Sequence, residues 1–148
     1  MLKTILVAVD GSEVGKKALD TALALAKALD AEIHAIHVIQ AGLYPSLTMN
    51  DMEPVAVAQQ AVFEMLEREA EYVLADAEKA GAEAGVRITP QKRFGQPGAE
   101  IVGLAVELEA DLVILGSHGR SRLDTILLGS VSQFVLHNSP VTTMITRA

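Results

Sequence analysis

The sequence predicts an α/β fold, an open five-stranded parallel sheet with helices on both faces. Short aliphatic runs such as Ile5 to Val9 and Leu112 to Leu115 lack polar alternation and so read as strands buried on both sides. Stretches of helical apolar spacing separate these runs, and the regular alternation implies right-handed crossovers between parallel strands. Half of the 148 residues are hydrophobic yet only 3% are aromatic, so the core must be built from Val, Ile, Leu and Ala. That length suits one domain spanning residues 1–148.

The first strand, Ile5 to Val9, stops at Asp10-Gly11-Ser12. From Ser12 the period changes. Ala18, Leu19, Ala22, Leu23, Leu25, Ala26 and Leu29 recur at helical spacing, with Ser12 a suitable N-cap and Glu13 at the positive helix end. Glu32 to Ile39 forms the second strand, broken by Ala41-Gly42. The loop from Ala41 to Glu53 is long for a structureless connection, and Leu43, Tyr44, Leu47, Met49 and Met52 make it too apolar for a solvated linker. A lid or partner-facing flap and a loop folded over the core edge fit it equally well. Pro54 to about Ala84 reads as the longest helix, with Val62, Met65, Leu66, Val73, Leu74 and Ala77 on its apolar stripe and Gly81 and Gly85 marking its end.

Val86 to Phe94 forms the third strand, in which Pro90 points to an exposed or irregular position. Gln96-Pro97-Gly98 opens a helix whose buried face is Ile101, Val102, Leu104, Ala105 and Leu108. Its acidic end, Glu107, Glu109 and Asp111, opposes the helix dipole, and the sequence offers no reason for it. Leu112 to Leu115, Val131 to His137 and Val141 to Thr146 supply the fourth strand, the last helix and the fifth strand.

Composition also excludes. The net charge of −7 argues against general nucleic-acid binding, which needs a basic face to displace counterions. The absence of cysteine removes disulfides, thiolate metal sites and thiol chemistry. No apolar stretch approaches the roughly 18 to 20 residues of a membrane span. The N-terminal run meets Asp10 with no small-residue cleavage pattern after it, so it reads as a strand rather than a signal peptide, and a cytoplasmic location is expected.

In sheets of this kind ligands bind beyond the carboxyl ends of the strands, where strand order reverses, so Asp10-Gly11, Val38 and Gly116 should converge. The stretch DLVILGSHGRSRLDTILLGSVSQFVLHNSP, Asp111 to Pro140, spaces Gly116 and Gly119 after the fourth strand and sets Gly129-Ser130 at the start of the last helix. Glycines there permit close backbone approach, and the helix N-terminus, the serine hydroxyl, Arg120 and Arg122 all favour an anion. From spacing alone, a phosphate cradle and a capped loop with two solvated arginines are evenly matched. A Walker loop is excluded because Gly129 is followed by Ser130 rather than lysine, and DGSEVG lacks the middle glycine of the dinucleotide fingerprint. A phosphoacceptor receiver domain would need clustered carboxylates and a lysine at the strand ends, where only Asp10 stands.

The spacing Gly116-x2-Gly119-x9-Gly129-Ser130 resembles the ATP-binding motif of the universal stress protein family. ILVAVDGSE, LVILGSHGRS and the run Ser132, Val135, Leu136, His137, Ser139, Pro140, Val141 are similar to it in the same order, so the resemblance covers essentially the whole chain. It implies a Rossmann-like fold of the adenine nucleotide alpha hydrolase type and ATP, with Mg²⁺, as ligand. By that resemblance Ala8 and Asp10 flank the nucleoside and Val38 meets the adenine through its backbone. Gly116, Gly119, Gly129, Ser130, Val131 and Ser132 bind ribose and phosphates, and Leu115 and His118 line the same site. Ala8 stands where the family often has proline, and members that bind no nucleotide typically lack the glycine motif present here.

Asp10 suits a ribose contact or a phosphate-bound Mg²⁺ better than a simple loop cap. His34 and His37 lie on opposite strand faces and cannot chelate together, so ordinary packing or surface roles are expected, and His137 suits the negative end of its helix. The expectation is an ATP-binding protein in which the nucleotide is a regulatory ligand, with no catalytic residues assigned and little or no hydrolysis. The alternatives are a slow ATPase or phosphotransferase assisted by Asp10 or His118, and a nucleotide-free dimeric adaptor. The fifth strand, added last, should lie at a sheet edge. It carries no proline and no charge before Arg147, so a homodimer through residues 141–146 is expected.

Overall fold

The computed structural model describes residues 1–40, 52–118 and 127–148. Its elements are β1 (Thr4–Ala8), α1 (Glu13–Leu29), β2 (Glu32–Ile39), α2 (Met52–Ala84), β3 (Ile88–Phe94), α3 (Pro97–Glu107), β4 (Leu112–Gly116), α4 (Ser130–Asn138) and β5 (Thr142–Thr146). The five strands pair in parallel in the order β3-β2-β1-β4-β5, so strand order reverses between β1 and β4. The doubly wound α/β sheet expected from the sequence is the one observed.

Continuous apolar strands are required because each feeds two cores at once. Ile5, Val7, Ile33, Ala35 and Ile114 turn to one face, against Ala18, Ala22 and Ala26 of α1 and Val73, Leu74 and Ala77 of α2. Leu6, Ile36, Val113 and Leu115 turn to the other, against Ile101, Leu104 and Ala105 of α3 and Val135 of α4. Alternate residues of one strand therefore meet different helices. Among the described residues no helix is long and apolar enough to cross a membrane.

Several local expectations hold, and others are corrected. Ser12 caps α1 as expected by accepting from the Gly15 N–H at 3.0 Å, and Pro97 stands in the first turn of α3, where Gln96 adds a cap the sequence had not marked by accepting from the Ala99 N–H at 2.6 Å. Helix α2 begins at Met52, so Met52 and Glu53 belong to it rather than to the preceding loop, and the rest of that loop, residues 41–51, lies outside the described residues. Gly81 does not end α2. It sits inside the helix, where a Cβ would come within 2.7 Å of Ile88 and of the Val86 carbonyl, so it is a contact glycine, and the end falls at Gly85 with φ +73°. Met65 is not on the buried stripe, being 59% exposed on the outer face. Pro90 is exposed, as one of the two expectations had it, and β3 runs regularly through it in register with Ala35, which an edge strand tolerates.

The acidic end of α3 also finds its reason. Glu107 accepts from Arg93 of β3 at 2.7 Å, and this bond and the guanidinium charge hold its carboxyl below the usual range. Asp111 Oδ2 accepts from the backbone N–H groups of Lys3 at 2.7 Å and Thr4 at 2.9 Å, which lowers its pKa as well. These carboxylates fasten the connection after α3 to neighbouring strands, an arrangement with no trace in local sequence.

Candidate functional site

A cavity of about 480 Å³ opens at the carboxyl ends of β1, β2 and β4. Ala8 and Asp10 of the β1 end, Val38 of β2 and Leu115 and Gly116 of β4 line it, as do His118 and the start of α4 with Gly129, Ser130, Val131 and Ser132. Ten of the eleven residues singled out in the sequence thus face one space. The eleventh, Gly119, lies outside the described residues together with Arg120 and Arg122. Asp10, Val38 and Gly116 come together as the strand topology requires.

The start of α4 is held by a knot of hydrogen bonds on Ser117. The Ser117 carbonyl accepts from the Gly129 N–H at 2.6 Å and from the Ser132 hydroxyl at 2.9 Å, and the Ser117 N–H donates to the Thr146 carbonyl at 2.8 Å. The Ser132 hydroxyl also lies 2.9 Å from the Gly129 carbonyl, so its proton is engaged inside the loop and only its lone pairs remain. Gly129 is the N-cap of α4 and has no side chain to cap it, and the first turn of this nine-residue helix lines the cavity.

The two described motif glycines serve different ends. A Cβ on Gly129 would lie 3.1 Å from the His118 Cα and 3.3 Å from the Ser117 carbonyl oxygen, so this glycine lets the returning chain close on the end of β4. A Cβ on Gly116 would lie 2.6 Å from Val14 Cγ1, so Gly116 seats β4 against α1, where the sequence had suggested room for a ligand.

Asp10 acts as the loop cap and lies on the cavity wall. Its Oδ1 accepts from the Ser12 N–H at 2.9 Å and the Ser12 hydroxyl at 2.5 Å, fixing the turn into α1, while the residue remains on the cavity wall. Gly15 is small for this reason, since a Cβ there would lie 2.6 Å from the same oxygen. His118 Nδ1 lies 3.0 Å from the Ser117 hydroxyl.

Sequence reasoning missed part of the lining. His37 and Gln40 belong to the same strand end as Val38, so topology alone would have found them. Leu66 and Glu69 come from α2, and nothing local marks them, because only the packing of α2 on the sheet brings them to the mouth. Asp10 and Glu69 are the carboxylates of the described lining, which contains no lysine or arginine. Among the described residues no three His, Asp or Glu side chains are grouped to hold a metal ion.

The profile of the universal stress protein family matches residues 1–147. The chain belongs to this family. It is 34% identical over 139 residues to a universal stress protein of Methanocaldococcus jannaschii, covering 94% of this chain and 78% of the relative. It is 33% identical over 150 residues to the universal stress protein YxiE of Bacillus subtilis, covering 99% of this chain and all of the relative. The solved structure of hypothetical protein MJ0577 superposes with a TM-score of 0.85 at 28% identity, over 100% of this chain and 97% of the other. A universal stress protein solved in complex with cAMP superposes with a TM-score of 0.68 at 26% identity, over 99% and 97%. Nucleotide binding is thus documented within the family at this level of similarity.

Proposed function

We propose that this family member binds ATP in the cavity at the β1–β4 switch point and that the nucleotide acts as a regulatory ligand with little or no turnover. The observation that carries the reading is the start of α4, whose N-cap is a glycine and whose first turn lines the same cavity as the apolar Ile36, Val38 and Leu115. Val38, Ile36 and Leu115 suit a base, the α4 terminus suits phosphates, and the cAMP complex of a relative supports an adenine nucleotide. Mg²⁺ would neutralise the triphosphate, with Asp10 as its protein carboxylate. Turnover is expected to be slow because no described lysine reaches the cavity and phosphate binding alone does not lower a barrier.

Equilibrium titration with ATP and mass analysis of any copurifying nucleotide test the binding. Phosphate release near about 10 per second, the median enzyme rate, and lost on changing Asp10 or His118, would replace the reading with an ATPase. We also propose a homodimer through β5. The strand is at the sheet edge, and its outward N–H and C=O groups have no blocking proline or charge.

A further inference from the structure

His37 was expected to be an ordinary packing residue, and its hydrogen bonding says more. It is 8% exposed, and its Nδ1 lies 2.9 Å from the carbonyl oxygen of Val9. A carbonyl only accepts, so Nδ1 carries the proton, and in the neutral ring Nε2 holds the lone pair. Val9 is the residue before Asp10, so the same bond ties the ends of β1 and β2 together beneath the cavity. Among the described residues Nε2 has no partner, and none of their side-chain nitrogens or oxygens is both sealed from solvent and unpartnered. Nε2 therefore reaches open space, and His37 lines the cavity. Along β2 its side chain shares the face of Ile33, Ala35 and Ile39, the side of the sheet covered by α1 and α2. It thus stands on the same side as the α2 residues Leu66 and Glu69, while Ile36 and Val38 turn toward α3 and α4.

We infer that His37 is a specificity-determining residue of the nucleotide site, its Nε2 accepting a hydrogen bond from an N–H or O–H donor of the nucleoside. Within ATP two kinds of group have that chemistry, the 6-amino group of the base and the ribose hydroxyls. The inference rests on the ATP reading of the cavity. The tautomer is set by the Val9 carbonyl, so the acceptor is fixed before the ligand arrives. A ligand presenting a carbonyl or a bare ring nitrogen at that point would face lone pair against lone pair. Discrimination by such an acceptor is sharp because a buried group left unpaired loses its solvation with nothing in return.

The test crosses protein variants with ligand analogues. His37→Asn keeps a donor for the Val9 carbonyl and removes the acceptor from the Nε2 position, whereas His37→Gln places an oxygen there and is the rescue variant. Dissociation constants are measured by calorimetry for ATP, for inosine triphosphate, which has a 6-oxo group in place of the amine, and for the 2′-deoxy and 3′-deoxy forms of ATP. His37→Asn should weaken ATP about three- to tenfold, His37→Gln should recover part of the loss, and the loss should vanish for the one analogue lacking the donor that His37 reads. Melting temperatures of the ligand-free variants check the fold. Parent-like ATP affinity in His37→Asn, or an equal loss for ATP and every analogue, would overturn the assignment, the latter by showing that the loss depends on no donor of the ligand. If the parent itself binds no ATP at millimolar concentration, the ATP reading falls and this inference with it.

Discussion

Changing Ser130 to glutamate separates what the α4 terminus does for the fold from what it does for a ligand. Ser130 is the first residue of α4, exposed and on the cavity wall, so a longer side chain meets no packed neighbour. For the helix the change is favourable, since a carboxylate in the first turn adds about 0.3–1 kcal/mol. For a chain of this size each kcal/mol moves the melting temperature by about 2–4 °C, so the ligand-free variant should melt about 1–4 °C higher than the parent. ATP at a hundred times its dissociation constant stabilises the parent by about 2.7 kcal/mol, or roughly 5–11 °C. A carboxylate about 5 Å from one phosphate charge opposes binding by about 0.8 kcal/mol in bulk water and about 3.3 kcal/mol at an effective dielectric of 20. The dissociation constant then rises about 4- to 270-fold, and at the same ATP concentration the stabilisation falls to between about 1.9 and 0.2 kcal/mol. Scanning calorimetry with and without Mg-ATP reads both effects, which have opposite signs. If ATP raises the melting temperature of the variant as far as that of the parent, phosphates do not sit at α4.

Gly116→Ala should destabilise the ligand-free protein by about 1–3 kcal/mol in urea unfolding, because its Cβ would meet Val14 at 2.6 Å in a packed interface. An unchanged midpoint would show that β4 and α1 are not seated as described. Asp111 has a lowered pKa in the fold, so its contribution to stability is present above the unfolded value, about 3.9, and is lost as pH falls through the lower folded value. Asp111→Asn should therefore flatten the fall of the urea midpoint below about pH 4, and an unaltered pH profile would discount the bonds to Lys3 and Thr4. Thr143→Pro should shift sedimentation from twice the 15.7 kDa chain mass toward monomer. The Thr146 carbonyl faces β4, so by strand alternation the Thr143 N–H points outward, and proline there removes an intermolecular donor while sparing the sheet.

The parts of the fold legible in the sequence are those that one period or one terminator sets. Runs buried on both faces, such as Ile5 to Val9, could only be inner strands. Ser12 stands where a cap is needed and its side chain accepts the expected bond, and Pro97 stands in the first turn of α3. Gly81 misled because a glycine in a helix looks like an end whether it terminates the helix or makes room for Ile88, and only tertiary contact tells the two apart. Met65 misled for a related reason. Among the described side chains of α2 the first buried one is Ala70, so an apolar residue at helical spacing before it, such as Met65, need not be covered. Glu107 and Asp111 were unreadable because their partners, Arg93, Lys3 and Thr4, lie 14 to 108 residues away.

The candidate site shows the same division within one motif. Gly116 and Gly129 belong to one spacing pattern, and both are small, yet Gly116 answers to Val14 and Gly129 to the closing of the chain on Ser117 and His118. Neither contact involves a ligand. What makes the place a site is their joint consequence: β4 lies close enough to α1, and α4 starts close enough to β4, for the Ser117 carbonyl to hold Gly129 and Ser132 at once. That carbonyl holds the helix start at the cavity. Enlarging either glycine would thus disturb binding through the fold, whereas Ser130→Glu and His37→Asn act on groups at the cavity wall, and for that reason they are the variants that decide what it binds.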